Sequence, residues 1–154
     1  MAANNIERFN TIVGLVFEQL YRAFPVPITI DEPAIAKAMG LTVELKYHDD
    51  DPRFPPVAQI GNFDDGSSFN GMLWAALPWL VDEGYIRAQG QVRSEEAVLT
   101  SKALSILNAA PESLGGTLGA KLTGLAKEAG SEAGRAVING VVGQIFSFGL
   151  RILS

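Results

Sequence analysis

By residue type, the positions best suited to chemistry are acidic. His48-Asp49-Asp50-Asp51 form one run, and Asp64-Asp65 lie a little further on. Clustered carboxylate oxygens can take Ca²⁺ or Mg²⁺, and a carboxylate pair can move protons when one member is buried. Neither pattern is complete in this chain. A calcium loop spaces its ligands as Asp-x-Asp-x-Asp-Gly and closes on a distal Glu, whereas these aspartates are adjacent, as on a solvated acidic loop. His48 is the only histidine and there is no cysteine. One chain therefore cannot build a His/Cys zinc site, a disulfide or a thiolate nucleophile. The sequence also lacks a Gly-x-Ser-x-Gly elbow, a phosphate-binding loop and a His-Glu-x-x-His helix. The residues assign no catalytic centre, no metal and no cofactor, and the expectation is a non-enzymatic protein.

The elements around that loop are legible from periodicity. Ser67 or Ser68 caps a helix in which Phe69, Met72, Leu73, Ala76, Leu77, Leu80 and Val81 recur at helical spacing, with Gly84 as its stop. Tyr85 to Gln89 alternates as a strand, Gly90 turns, and Ala97-Val98-Leu99 returns. Thr100 caps a short helix closed by Pro111. Upstream, Asn4 or Asn5 caps a helix reaching Phe24, with Ile6, Phe9, Val13, Val16, Phe17, Leu20 and Phe24 as one apolar stripe. Val26 to Ile30 is a short strand candidate, and Asp31 caps a helix from Glu32 to Met39 that stops at Gly40.

"WLVDEGYI" followed by "VLTSKALSILNAAP" resembles the recognition helix, wing and final helix of winged-helix domains. The resemblance covers residues 6–110 and implies a mainly α fold with a small β wing (α+β), in which the 26–30 strand pairs with the wing. One departure is residues 41–66, an acidic insertion where the family has a short turn; "LTVELKY" within it alternates like an added strand.

The family implies where a DNA contact would sit: Asn70 and Trp74 on the third helix, Arg87 and Arg93 on the wing. The charges oppose it. Residues 67–83 contain no Lys or Arg, Pro78 interrupts the helix, and the chain carries a net charge of −5. Trp74, Trp79 and Tyr85 fit an apolar surface for a protein partner better, with Trp79 expected in the core.

Composition changes at Pro111, where the domain boundary is drawn: residues 1–110 form the winged-helix-like domain with its insertion, 111–154 a glycine-rich tail. Nine of the sixteen glycines follow Pro111. Leu118, Leu122, Leu125, Val137, Val141, Ile145, Phe148 and Ile152 follow steps of three and four, as on one long helix or a helical hairpin. A single helix would span roughly 50–60 Å at 1.5 Å per residue, too long for the domain to cover. This stripe is therefore the expected interface for self-assembly or a protein partner, with a membrane surface as the second use of residues 113–153. The opening residues lack a secretory signal, which points to the cytoplasm. Three functions follow in order: an interaction module using the tail, a DNA-binding regulator dimerised by the tail, and a membrane-active effector with a lytic tail helix.

Overall fold

A computed structural model describes residues 2–47, 52–88, 90, 96–111 and 115–153. The fold is mainly α with small antiparallel sheets. Six helices are present, α1 (Ala2–Ala23), α2 (Glu32–Ala38), α3 (Phe69–Asp82), α4 (Ser101–Leu107), α5 (Leu118–Leu125) and α6 (Glu132–Leu153). The strands are β1 (Val43–Lys46), β2 (Val57–Ile60), β3 (Ile86–Ala88) and β4 (Ala97–Leu99).

Side-chain caps set the helix starts. The Asp31 carboxylate accepts from the Ala34 amide at 3.1 Å, and the Ser68 hydroxyl accepts from Gly71 at 3.0 Å. Thr100 caps α4 and also donates to the Gly84 carbonyl at 2.6 Å, so the end of α3 and the start of α4 share one hydroxyl. Gly40 and Gly84 close α2 and α3 at φ of 83° and 82°, a conformation that glycine adopts without steric cost. Helix α3 runs on through Pro78 to Asp82.

β3 pairs with β4 in the register Ile86↔Leu99, and Ile28 bridges Ala97 with reciprocal backbone bonds of 2.9 and 2.7 Å. The segment after α1 thus adds to the β4 edge, where the sequence placed a wing-pairing strand. The insertion forms a separate hairpin, β1 on β2 in the register Val43↔Ile60, so the alternation of "LTVELKY" reports a real strand. His48 to Asp51 lie outside the described residues.

The centre of the molecule is α1. Every residue from Thr11 to Leu20 is buried, which a single stripe cannot achieve. Val13, Val16, Phe17 and Leu20 face the core as expected, but Ile12 and Leu15, off that stripe, are buried as well. Ile6 and Phe24, on the stripe, remain largely open. A second face of α1 is covered by the tail. Gly14 sits where an added Cβ would lie 2.7 Å from Ile138 and 3.4 Å from Leu122, so α5 and α6 both press on the bare backbone there.

The tail is a helical hairpin folded back on the domain. On α6, Arg135 faces Glu7, Asn139 faces Thr11 and Val142 faces Gly14, so α6 runs parallel to α1. On α5, Gly119 lies under the Tyr21 ring and Leu122 near Gly14, which is the opposite sense. Leu118, Leu122, Leu125, Val141 and Ile145 belong to the same continuous core as Phe17 and Leu73. The expectation of an outward stripe is corrected at these five positions, because they fill the space beside α1. Of the other three, Val137 is 44% exposed and Phe148 is half-buried; the Ile152 side chain lies outside the described residues.

Replacing Gly14 by Ala is expected to destabilise the protein by roughly 1–3 kcal/mol, since the tail must shift to admit one methyl. Gly124→Ala, in a helix with open space around it, is expected to stabilise by up to about 1 kcal/mol. Denaturant unfolding of the two variants checks both signs.

Candidate interaction surfaces

Aromatic rings join the tail to the rest. Phe146 of α6 meets Trp79 at 5.5 Å, Tyr85 at 5.6 Å and Phe9 at 6.4 Å between centroids, and Phe9 meets Trp79 edge-on at 5.3 Å. Such pairs add roughly 0.5–1.5 kcal/mol each beyond their buried area. Gly149 lies against the Tyr85 hydroxyl, where a side chain would collide. Burial, helped by Glu83, raises the Tyr85 pKa above its ordinary value, and the Lys102 ammonium lies over its ring at 4.4 Å. Trp79 is therefore a rim residue, 39% exposed, with one edge in this cluster. The expectation of a core Trp79 holds for that edge alone.

Of the four residues suggested for a domain-surface or nucleic-acid contact, the structure brings none into a common basic surface. Asn70 is half-buried at the start of α3. Trp74 is half-buried, and its indole N–H donates to the Glu32 carboxylate at 2.6 Å, which ties α3 to α2. Arg87 is exposed on β3, and Arg93 lies outside the described residues. The side chains that α3 turns outward are Ala75, Pro78, Trp79 and Asp82, beside the bare backbone of Gly71.

The strongest outward apolar feature is the β1–β2 hairpin. Its base is held: Val43 and Ile60 pack against the core, and the Gly61 amide donates to the Thr42 carbonyl at 2.9 Å. Its outer half is open, with Leu45, Tyr47, Phe54 and Val57 each more than half exposed. Leu45 and Tyr47 lie on one face by alternation, and Val57, opposite Lys46, lies on the other. Each strand also has one edge without a neighbouring strand. The sequence reading weighed the aspartates of this insertion and missed its apolar side chains. The signal was present in the matched alternation of "VELKY" and "PVAQI".

The segment leaving the hairpin is fixed to α1 electrostatically. Arg8 donates to Asp65 at 2.9 Å and to the Ser67 hydroxyl at 3.1 Å, and its guanidinium lies 4.4 Å from the Phe63 ring centroid. The Asp65 carboxylate also accepts from the Ser67 hydroxyl and amide at 2.6 and 3.0 Å. These bonds to Ser67, and then Arg8, hold its pKa well below the usual carboxylate range. A neighbouring cleft of about 470 Å³ is lined by Glu7, Arg8, Phe63, Asp64, Glu132 and Arg135 among others. Both of its guanidiniums are engaged, Arg135 with Glu7 and with the Ala129 and Gly130 carbonyls. Among the described residues, no group of three or more His, Asp or Glu side chains could hold a metal ion.

Comparison with protein-family models, with curated proteins and with solved structures finds no match for this chain.

Two titrations test these environments. A depressed carboxylate pKa stabilises the fold above the ordinary value of about 3.9, and that contribution is lost as pH falls below it. Asp65→Asn is therefore expected to flatten the acid limb of the stability–pH curve. A raised tyrosine pKa acts at the other end, its contribution present below about pH 10 and lost as pH rises through the folded value. Absorbance titration is expected to show a late tyrosinate step that Tyr85→Phe removes.

Proposed function

We propose that this protein is a non-enzymatic interaction module: a winged-helix arrangement that presents an inserted β-hairpin to a protein partner. The winged-helix reading rests on element order, with helix, bridging strand, helix, helix, wing and helix following one another. The observation that carries the function is the hairpin. Contiguous apolar side chains held away from a packed core by a rigid base are characteristic of protein contact sites, and an open strand edge offers backbone hydrogen bonds to an extended segment.

A protein partner is favoured over DNA by the chemistry of α3. A reader of base edges needs Arg, Lys, Asn or Gln directed outward. Here the outward positions are Gly, Ala, Pro, Trp and Asp, and the Trp74 donor is already engaged by Glu32. A protein partner is favoured over lipid by the placement of α6, whose apolar side chains Ile138, Val141, Val142 and Ile145 are inside the core. Among the described residues, no helix is long and apolar enough to cross a membrane.

The test is affinity capture on the full chain, paired with direct DNA and liposome assays. The double variant Leu45→Asp/Tyr47→Asp is expected to keep the circular dichroism and melting behaviour of the parent. It is also expected to lose the protein that the parent retains from its native cells. A salt-sensitive shift of duplex DNA that Arg87→Ala abolishes would replace this reading with DNA binding. Liposome flotation unaffected by the hairpin substitutions would replace it with membrane attachment.

A further inference from the structure

The inward side of α6 is accounted for by packing, but its outward side is not. Ala133, Ala136, Gly140, Gly143, Ser147 and Leu150 are all exposed and recur at alternating steps of three and four, the spacing of a heptad seam. None of them is charged, although a solvated helix face ordinarily carries Lys and Glu. Leu150 is 70% exposed, Val137 borders the seam, and Ile6 of α1 is open and lines a groove with Ala136.

The glycines of α6 divide by face. Gly134 and Gly149 lie against the Glu128 carbonyl and the Tyr85 hydroxyl, so the chain's own packing requires them. Gly140 and Gly143 have nothing within 4 Å of an added Cβ. Nothing within the chain repays the cost of about 1 kcal/mol that each imposes on the helix relative to alanine. Glycine facing outward at the centre of a heptad seam permits another helix to approach backbone to backbone.

The seam is complementary to itself when reversed. In antiparallel pairing about a two-fold axis between Val141 and Val142, Gly140 meets Gly143 of a second copy. Ala136 then meets Ser147, and Ala133 meets Leu150, layers that alternate the two seam positions as antiparallel helix pairs do. Glu132 at one end comes level with Arg151 of the other copy at both ends, and the two helix dipoles oppose. We infer that the outward face of α6 is a homodimer interface in which two copies pair antiparallel through Gly140 and Gly143. The occupant is a second copy of this chain, and the face is distinct from the hairpin surface proposed above, so either can fail alone.

The test uses the full chain. Light scattering is expected to give the mass of two chains. Gly140→Lys, which meets nothing in its own fold and improves helix propensity, is expected to give the mass of one chain with unchanged helicity. A charge set into a glycine layer is expected to raise the dimer dissociation constant by about a hundredfold or more. Register is read by mixing Gly140→Cys and Gly143→Cys chains, which have no other cysteine. A short thiol cross-linker is expected to join unlike chains in preference to like ones. A parent that is monomeric at all concentrations, a dimer indifferent to Gly140→Lys, or preferential joining of like chains would each overturn the inference.

Discussion

The structure depends on covering a helix that is apolar on more than one side. Between Thr11 and Leu20 no residue of α1 reaches solvent, and the domain of residues 6–110 supplies only part of the cover. The rest comes from α5 and α6, which close over Gly14 and leave the Thr11 hydroxyl to be satisfied within the protein. Thr11 donates to the Glu7 carbonyl at 2.8 Å and accepts from Asn139 at 3.2 Å. Asn139 also donates to that same carbonyl at 3.3 Å. A buried polar group without such partners costs about 1–3 kcal/mol, so this seam fixes which face of α6 turns inward.

Magnitudes decide how far the tail can act alone. Ile138, Val141, Val142 and Ile145 are each essentially buried, and full burial of such a side chain contributes roughly 1.5–3 kcal/mol. Four of them approach the whole net stability of a domain, about 5–15 kcal/mol. The aromatic contacts of Phe146 add to that. Detaching α6 would thus expose the α1 core and cost most of the fold, which makes the tail a structural wall and leaves its outward face and the hairpin for contact with other molecules.

Local chemistry was legible in the sequence where one residue acts on its neighbours. Asp31, Ser68 and Thr100 cap the helices that follow them, Gly40 and Gly84 end theirs, and the 86–99 wing lies where alternation put it. What periodicity does not carry is the identity of the covering surface. The steps of three and four through Leu118, Leu122, Val141 and Ile145 describe an apolar face equally well whether it meets a partner, a bilayer or α1. The small residues that settle the matter, Gly14 and Gly119, read in sequence as helix weaknesses and act in the fold as contact points for Ile138 and Tyr21. The hairpin was half legible for a similar reason, since its aspartates drew attention from the alternating apolar residues that pair its strands.

The central claim is that residues on both sides of Pro111 form one cooperative core. Both tryptophans lie in α3, and Trp79 touches Phe146, so tryptophan fluorescence reports the domain while far-ultraviolet circular dichroism weights the long helices α1 and α6. The direct measurement is equilibrium urea unfolding of the full chain followed by both signals. Coincident transitions that Val142→Ala moves together to lower urea are the expected result. Loss of helical signal at a separate, lower midpoint, with fluorescence unchanged, would mean that the tail is an appendage and the account is wrong.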